Sequence, residues 1–326
     1  MGVGAATAEF LAEARADGVD FSRTLTIGRQ ASFVGPVRLG RLLRRHGVWP
    51  AGVGGRSFYR TFRDGPPWLA EPYLAALGAR EVAAMDVSDY EGAEVIHDLN
   101  EPLPEDMHER FDVVLDAGSL EHVFDVPTAL RSYMQMVRVG GRLIVQTMAN
   151  NHCGHGFYQF SPELFFRVLS EENGYELERL HLAAEDIEFS RPVAGVSAPF
   201  DPREGRFSVA DPESVGGRVL LRTGYGVTLL VQARRVRAVP VLTRPPLQSD
   251  YKPMWAGGGG QTPAPVDGIP AGPLRSAFRR AFPPEARMVI ALDLMPRLLP
   301  LLDPLRRARV ARQRSFRNRR HFRRVR

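Results

Sequence analysis

The chain has 326 residues, 44% of them hydrophobic and 25% charged, which excludes wholesale disorder and a fibrous protein. Cys153 is the only cysteine, which excludes an intramolecular disulfide and a multi-cysteine zinc site and fits a reducing, cytoplasmic compartment. The net charge is +6, yet residues 306–326 alone hold 11 arginines and no acid, leaving 32 basic against 37 acidic side chains in residues 1–305. A single lysine, Lys252, stands against 42 arginines, the bias of a GC-rich coding sequence, so arginine content as such carries no message. Glu9, Glu13, Asp17 and Asp20 interrupt the N-terminal region, so no signal peptide is expected. The apolar stretch 288–302 contains Asp293, Pro296, Arg297 and Pro300 and is too short and too polar to span a bilayer.

Apolar spacing predicts a helix over 4–16, a short strand over 24–28 and a helix over 36–46 stopped by Gly47. Residues 47–67 are rich in Gly and Pro and read as loop, with a helix over 68–77 behind them. Three strands then end in aspartate: 82–85 before Asp86, 94–97 before Asp98 and 111–115 before Asp116. A helix over 127–139 is stopped by Gly140 and Gly141, and a strand over 142–147 follows. Ser161, Pro162 and Glu163 start a helix that runs to Asn173 and Gly174: a hydroxyl cap, a proline at the first turn and an acid at the positive helix end. Residues 175–182 and 226–234 are two further strands. Alternation of this kind gives an α/β fold, a Rossmann-like, mostly parallel sheet with helices on both faces. Residues 239–304 hold 13 of the 26 prolines and the glycine run 257–260, so they are linker-like, with at most a short helix between Pro284 and Leu299. The organisation expected is an N-terminal helical segment (1–23), an α/β domain (24–238) with insertions at about 47–78 and 185–225, an extension (239–305) and an arginine-rich tail (306–326).

Parallel sheets place ligands at the carboxyl ends of their strands. The first such loop is Gly28, Arg29, Gln30, Ala31 and Ser32, which lacks the Gly-x-Gly-x-x-Gly needed for a dinucleotide pyrophosphate. Asp86 can accept two hydrogen bonds from ribose hydroxyls, and Asp98 one from an adenine amino group while Leu99 packs on the ring. Asp116, Ala117, Gly118 and Ser119 include small residues that let a ligand approach the backbone. Together the loops indicate an adenosine-bearing ligand without a pyrophosphate.

The run 111–123, with Asp116, Ala117, Gly118, Ser119, Leu120, Glu121 and His122, and the run 139–144 with its double glycine resemble the fourth and fifth strand motifs of class I S-adenosylmethionine-dependent methyltransferases. Residues 85–93, 96–100 and 150–164 resemble a bacterial, mostly uncharacterised branch of that family. The resemblance covers about residues 22–238. It implies a seven-stranded sheet whose last strand is antiparallel, and S-adenosyl-L-methionine as cofactor. It also implies roles: Gly28, Arg29 and Gln30 near the methionine part, Asp86 on the ribose, Asp98 and Leu99 on the adenine, and Asp116 with Gly118 lining the sulfonium region. Two departures stand out. The first loop has one of its usual glycines, and 58 positions separate Gly28 from Asp86 where about 20 is usual.

Methyl transfer asks the protein to align an in-line attack and, for a hydroxyl acceptor, to remove a proton. A histidine suits that task. His152 and His155 follow the fifth strand and are the candidate bases, though His155 also suits bracing the turn before Ser161. No further ligand cluster accompanies His152 and His155, so no metal is expected. Glu121 and His122 read as structural, Cys153 as a small packing residue, and Phe157, Phe160, Phe165 and Phe166 as mostly core. The function expected is methyl transfer, most simply O-methylation, to a small molecule or glycan precursor. The alternative is a catalytically inactive methyltransferase-fold binding protein, associated with membrane or nucleic acid through its tail. A dehydrogenase lacks its pyrophosphate loop. The tail itself fits three roles: a solvated block, an attraction to anionic membrane surfaces aided by Leu298, Leu299, Leu301 and Leu302, or, less favoured, nucleic-acid binding. The membrane role would put the protein at the inner membrane face.

Overall fold

The structure, a computed structural model, describes residues 2–64, 69–184, 205–251 and 311–325. The first half of insertion 185–225, most of extension 239–305 and the start of the tail lie outside the described residues. The chain divides into two compact units. The larger holds the first 211 residues, 223–248 and 323–326; the smaller holds 212–222 and 249–322.

In the larger unit the elements are β1 (Gly2–Val3), α1 (Ala5–Ala16), β2 (Arg23–Ile27), β3 (Ala31–Ser32), α2 (Pro36–Arg45), α3 (Gly55–Asp64), α4 (Glu71–Ala76), β4 (Glu81–Asp86), β5 (Val95–Ile96), β6 (Phe111–Ala117), α5 (Val126–Met136), β7 (Val137–Asn150), α6 (Pro162–Val168), β8 (Tyr175–Ala184), β9 (Arg206–Val209) and β10 (Val227–Arg235). A short α7 (Pro212–Val215) follows β9, and β11 (Phe322–Arg324) comes near the C-terminus. The main sheet has nine strands in the order β11-β9-β8-β10-β7-β6-β2-β4-β5. Its middle is the sheet expected: β5, β4, β2, β6 and β7 are parallel neighbours, and β10 runs antiparallel between β7 and β8. Seven strands is a correction, because β9 and β11 extend the sheet beyond β8.

Helices cover both faces. Phe10 and Leu11 of α1, Leu39 and Leu43 of α2 and Tyr73 and Leu74 of α4 form one buried cluster with Val113, Leu115 and Ala117 of β6. Truncating a ring such as Phe10 there costs about 3–5 kcal/mol. On the opposite side of β6, Asp116 takes the hydroxyl hydrogen of Tyr133 from α5.

Three local readings are corrected. Residues 47–67 are not all loop, because Phe58 and Phe62 recur at helical spacing and α3 buries both. Trp68, expected to start the next helix, lies outside the described residues. The double glycine does not stop a helix. Instead α5 ends at Met136 and passes directly into β7, where Gly140 takes φ +86° at an irregular register and a Cβ on Gly141 would sit 2.7 Å from the Asp112 carbonyl. Finally, α6 stops at Val168 and does not reach Asn173, which belongs to a separate 3-10 turn closed by Gly174 at φ +73°.

The tail is not wholly a solvated block. In the smaller unit Phe316 and Phe322 are buried with ring centroids 5.2 Å apart, and the Arg222 N–H donates to the Arg314 carbonyl at 2.6 Å. In the larger unit the Val325 N–H donates to the Arg206 carbonyl at 2.8 Å, beside β9.

Candidate active site

Register fixes what meets at the carboxyl edge. Ile27 lies opposite Met85 on one side and Asp116 on the other, Met85 opposite Val95, and Asp116 opposite Val145. The next row therefore brings Gly28, Asp86 and Ala117 level, and the Gly28 N–H donates to the Met85 carbonyl at 2.7 Å. Gly28 has φ +66° and Gly118 φ +104°, conformations that favour glycine. Asp86 is half-buried, and its Oδ1 accepts the Val87 N–H at 2.7 Å. Asp98 is exposed two residues past the partner of Asp86, and its Oδ1 accepts both the N–H and the side-chain amide of Asn100 at 2.9 and 2.8 Å. Those two bonds hold its carboxyl below the usual carboxylate range. Leu99 beside it is buried. Gly28, Asp86, Asp98, Leu99 and Gly118 thus converge on one edge.

The remaining cofactor candidates are committed to the protein itself. Arg29 donates from Nε to Glu71 Oε1 at 2.8 Å and from Nη1 to the Glu91 carbonyl at 3.2 Å, tying the first loop to α4 and to the loop after β4. Gln30 is 1% exposed and turned inward, where its amide nitrogen donates to the Ile27 carbonyl and Oε1 finds no partner among the described residues. Asp116 is fully buried. Its Oδ1 accepts the N–H groups of Gly118 and Ser119, and its Oδ2 accepts the Leu120 N–H and the Tyr133 hydroxyl. All four of its acceptor positions are filled by the protein, so Asp116 shapes the loop.

Downstream, the loop after β7 docks on the loop after β6. The N–H groups of Phe157 and Tyr158 donate to the Glu121 carbonyl at 2.7 and 3.3 Å. Gly156, at φ +74°, permits that contact, since a Cβ there would lie 2.6 Å from the same carbonyl oxygen. Docking brings His155 Nε2 to 3.8 Å from Glu121 Oε1 and its ring to 5.2 Å from that of His122. Glu121 is 0% exposed; Thr147 donates to its Oε2 at 2.8 Å, and among the described residues its Oε1 has no hydrogen-bond partner. Burial pushes the carboxyls of Asp116 and Glu121 up, and they repel one another.

His152 is half-buried; one ring nitrogen engages the Val227 backbone, and among the described residues Nε2 has no hydrogen-bond partner. Its ring lies close against Gly226, where a Cβ would approach within 2.6 Å. Burial, then the neighbouring His155, keep its pKa below the ordinary histidine value. The reading of Cys153 as a packing residue is corrected, because it is exposed. Phe157 is likewise not core: it is 68% exposed, edge-on to the exposed Phe124 at 6.0 Å. Glu121, read from the sequence as structural, is the buried acid to which these loops bring His122 and His155. Its one visible signal is an acid directly after a buried strand and beside a histidine.

No protein-family model and no curated protein matches this chain. Similar solved structures include an S-adenosylmethionine-dependent methyltransferase from Mesorhizobium loti, at 16% identity over 70% of this chain and 98% of that one, TM-score 0.34. Geranyl diphosphate methyltransferase in complex with SAM matches at 16% identity over 71% of this chain and 85% of that one, TM-score 0.36. TehB from Haemophilus influenzae matches at 12% identity over 69% of this chain and 61% of that one, TM-score 0.32. The fold assignment rests on the strand order and directions given above.

Proposed function

We propose that this protein is an S-adenosylmethionine-dependent methyltransferase that methylates a hydroxyl of a small molecule or glycan precursor. The observation that carries the reading is the convergence of Gly28, Asp86, Asp98, Leu99 and Gly118 on the carboxyl edge of a parallel sheet. That edge fits a nucleoside with a short charged tail. Asp86 has its Oδ2 outside the hydrogen bonds among described residues and would take the ribose hydroxyls. Asp98 and Leu99 would take the adenine, and the glycine backbones at 28 and 118 would admit the amino-acid part. When bound, S-adenosylmethionine supplies a methyl group already activated on a sulfonium. His152 would receive the acceptor's hydroxyl proton, because burial holds its pKa below the ordinary histidine value and, among the described residues, its Nε2 has no hydrogen-bond partner. The exposed rings of Phe124 and Phe157 suit the face of a sugar or an apolar acceptor.

Titration calorimetry with S-adenosylmethionine and with its demethylated product tests this directly. Both should bind, and Asp86→Ala should weaken them by about tenfold or more, the loss of a charged hydrogen bond of at least 1.4 kcal/mol. Heat from neither ligand would sink the reading.

For the tail we propose attraction to anionic lipid head groups. It is supported by the exposure of Arg312, Arg317, Arg319, Arg320, Arg323 and Arg324. Among the described residues no helix is long and apolar enough to cross a membrane.

A further inference from the structure

We propose that Glu121, His122 and His155 form a binding site for one divalent transition-metal cation of the zinc class. Each offers one ligand atom, and these atoms all lie within 4.8 Å of one another. A tetrahedral site with bonds of about 2.1 Å separates its ligands by about 3.4 Å. The 3.8 Å between Glu121 Oε1 and His155 Nε2 is already close to that spacing. His155 has half its side chain exposed, so it can close the remaining distance by rotation.

Glu121 carries the argument. Its side chain is 0% exposed, yet among the described residues Oε1 has no hydrogen-bond partner, and it lies 3.8 Å from His155 Nε2. A buried carboxylate oxygen left unpaired costs free energy, and a cation is the partner that would remove the cost. Its other oxygen is oriented by the Thr147 hydroxyl, the kind of outer support that ligating carboxylates have. The loop from His152 to Tyr158 is clamped on the Glu121 backbone through Gly156, so His155 is delivered to this carboxyl by construction. Two imidazoles and one carboxylate suit zinc, cobalt or nickel better than magnesium or calcium. Three protein ligands leave a fourth position open, as in catalytic zinc sites, for water or an acceptor oxygen.

The other cluster of this composition among the described residues is Glu9, Glu13 and His46. It is already neutralised: Arg45 pairs with Glu9, and Arg179 and Arg206 pair with Glu13. It therefore serves as the internal control.

The test uses the full chain with Co²⁺ and Zn²⁺ alone, independent of any methyl donor, so it stands or falls separately from the methyltransferase reading. Equilibrium dialysis should give one tightly bound Zn²⁺ per chain, and Co²⁺ should develop the intense visible band of a low-coordinate site. Glu121→Gln and His155→Ala should each weaken binding by at least about tenfold, and Thr147→Val by about 10–100-fold. His46→Gln should change nothing. His155 is half exposed, so its variant keeps the test valid if Glu121→Gln fails to fold. Wild-type uptake no greater than that of His155→Ala, or loss of uptake in His46→Gln, would overturn the proposal.

Discussion

Replacing Asp116 by asparagine separates an organising role from a ligand role. The four donors that reach it are the N–H groups of Gly118, Ser119 and Leu120 at 3.0, 2.7 and 2.9 Å and the Tyr133 hydroxyl at 3.1 Å. An amide has one acceptor oxygen and one donor nitrogen. Whichever way it turns, two of the four donors lose their acceptor and face an N–H group. Each hydrogen bond to a buried charge contributes about 1.5–3 kcal/mol. Relief of the repulsion with Glu121 offsets part of the loss, leaving a cost of about 3 kcal/mol. In a domain of this size that lowers the melting midpoint by about 10 °C. The assay is thermal unfolding by circular dichroism, paired with calorimetry of S-adenosylhomocysteine well below the midpoint. Affinity should fall by less than about tenfold, because the carboxylate's acceptor positions are all taken by the protein itself. An unmoved midpoint with a loss of affinity above about a hundredfold would refute the reasoning and return Asp116 to the cofactor.

Other outcomes follow from the same structure. Arg235 is 4% exposed, and its Nη1 donates to the carbonyls of Met134, Gln135 and Val137 where α5 ends. Arg235→Ala should cost about 3 kcal/mol in urea unfolding, while the exposed neighbour Arg234→Ala should leave the midpoint nearly unmoved. His181 is packed edge-on against Phe10, and burial, then Arg206, lower its pKa to about 4. The unfolded chain takes up a proton below about pH 6.5 that the folded chain refuses, so stability should fall by about 2 kcal/mol between about pH 7 and about pH 5, and His181→Leu should flatten that fall. Gly226→Ala should push the His152 ring aside and cut methyl transfer by about tenfold or more at unchanged cofactor affinity; full activity would remove His152 from the mechanism. Changing Arg312, Arg317, Arg319 and Arg320 to glutamine should reduce salt-sensitive retention on anionic vesicles, and equal retention would end the lipid reading.

The sheet was legible because β6 is an apolar run closing in Asp116 and Ala117, and burial on both of its faces demands that pattern. What misled was local chemistry with two uses. Gly140 and Gly141 suit a helix stop and a bulge equally well, and only the approach of Asp112 decides for the bulge. The aspartate ending β6 looks like its neighbours in sequence, but register alone cannot show that its own loop curls back over it. Helix α3 hid in a glycine- and proline-rich stretch, since Phe58 and Phe62 are its only strong periodic signal. Glu121 and His155 are far apart in the chain and are joined by the docking of one loop on another, which no spacing rule encodes.

The pairing of β9 with β11 has a kinetic consequence. Ser208 and Arg323, which meet across it, are 115 positions apart in the chain. Closing so long a loop is entropically costly before a three-residue strand returns anything, so this edge forms late and opens first. The edge of β9 then spends part of every folding cycle uncovered, and its amides should exchange with solvent hydrogen sooner than those of β6 or β7.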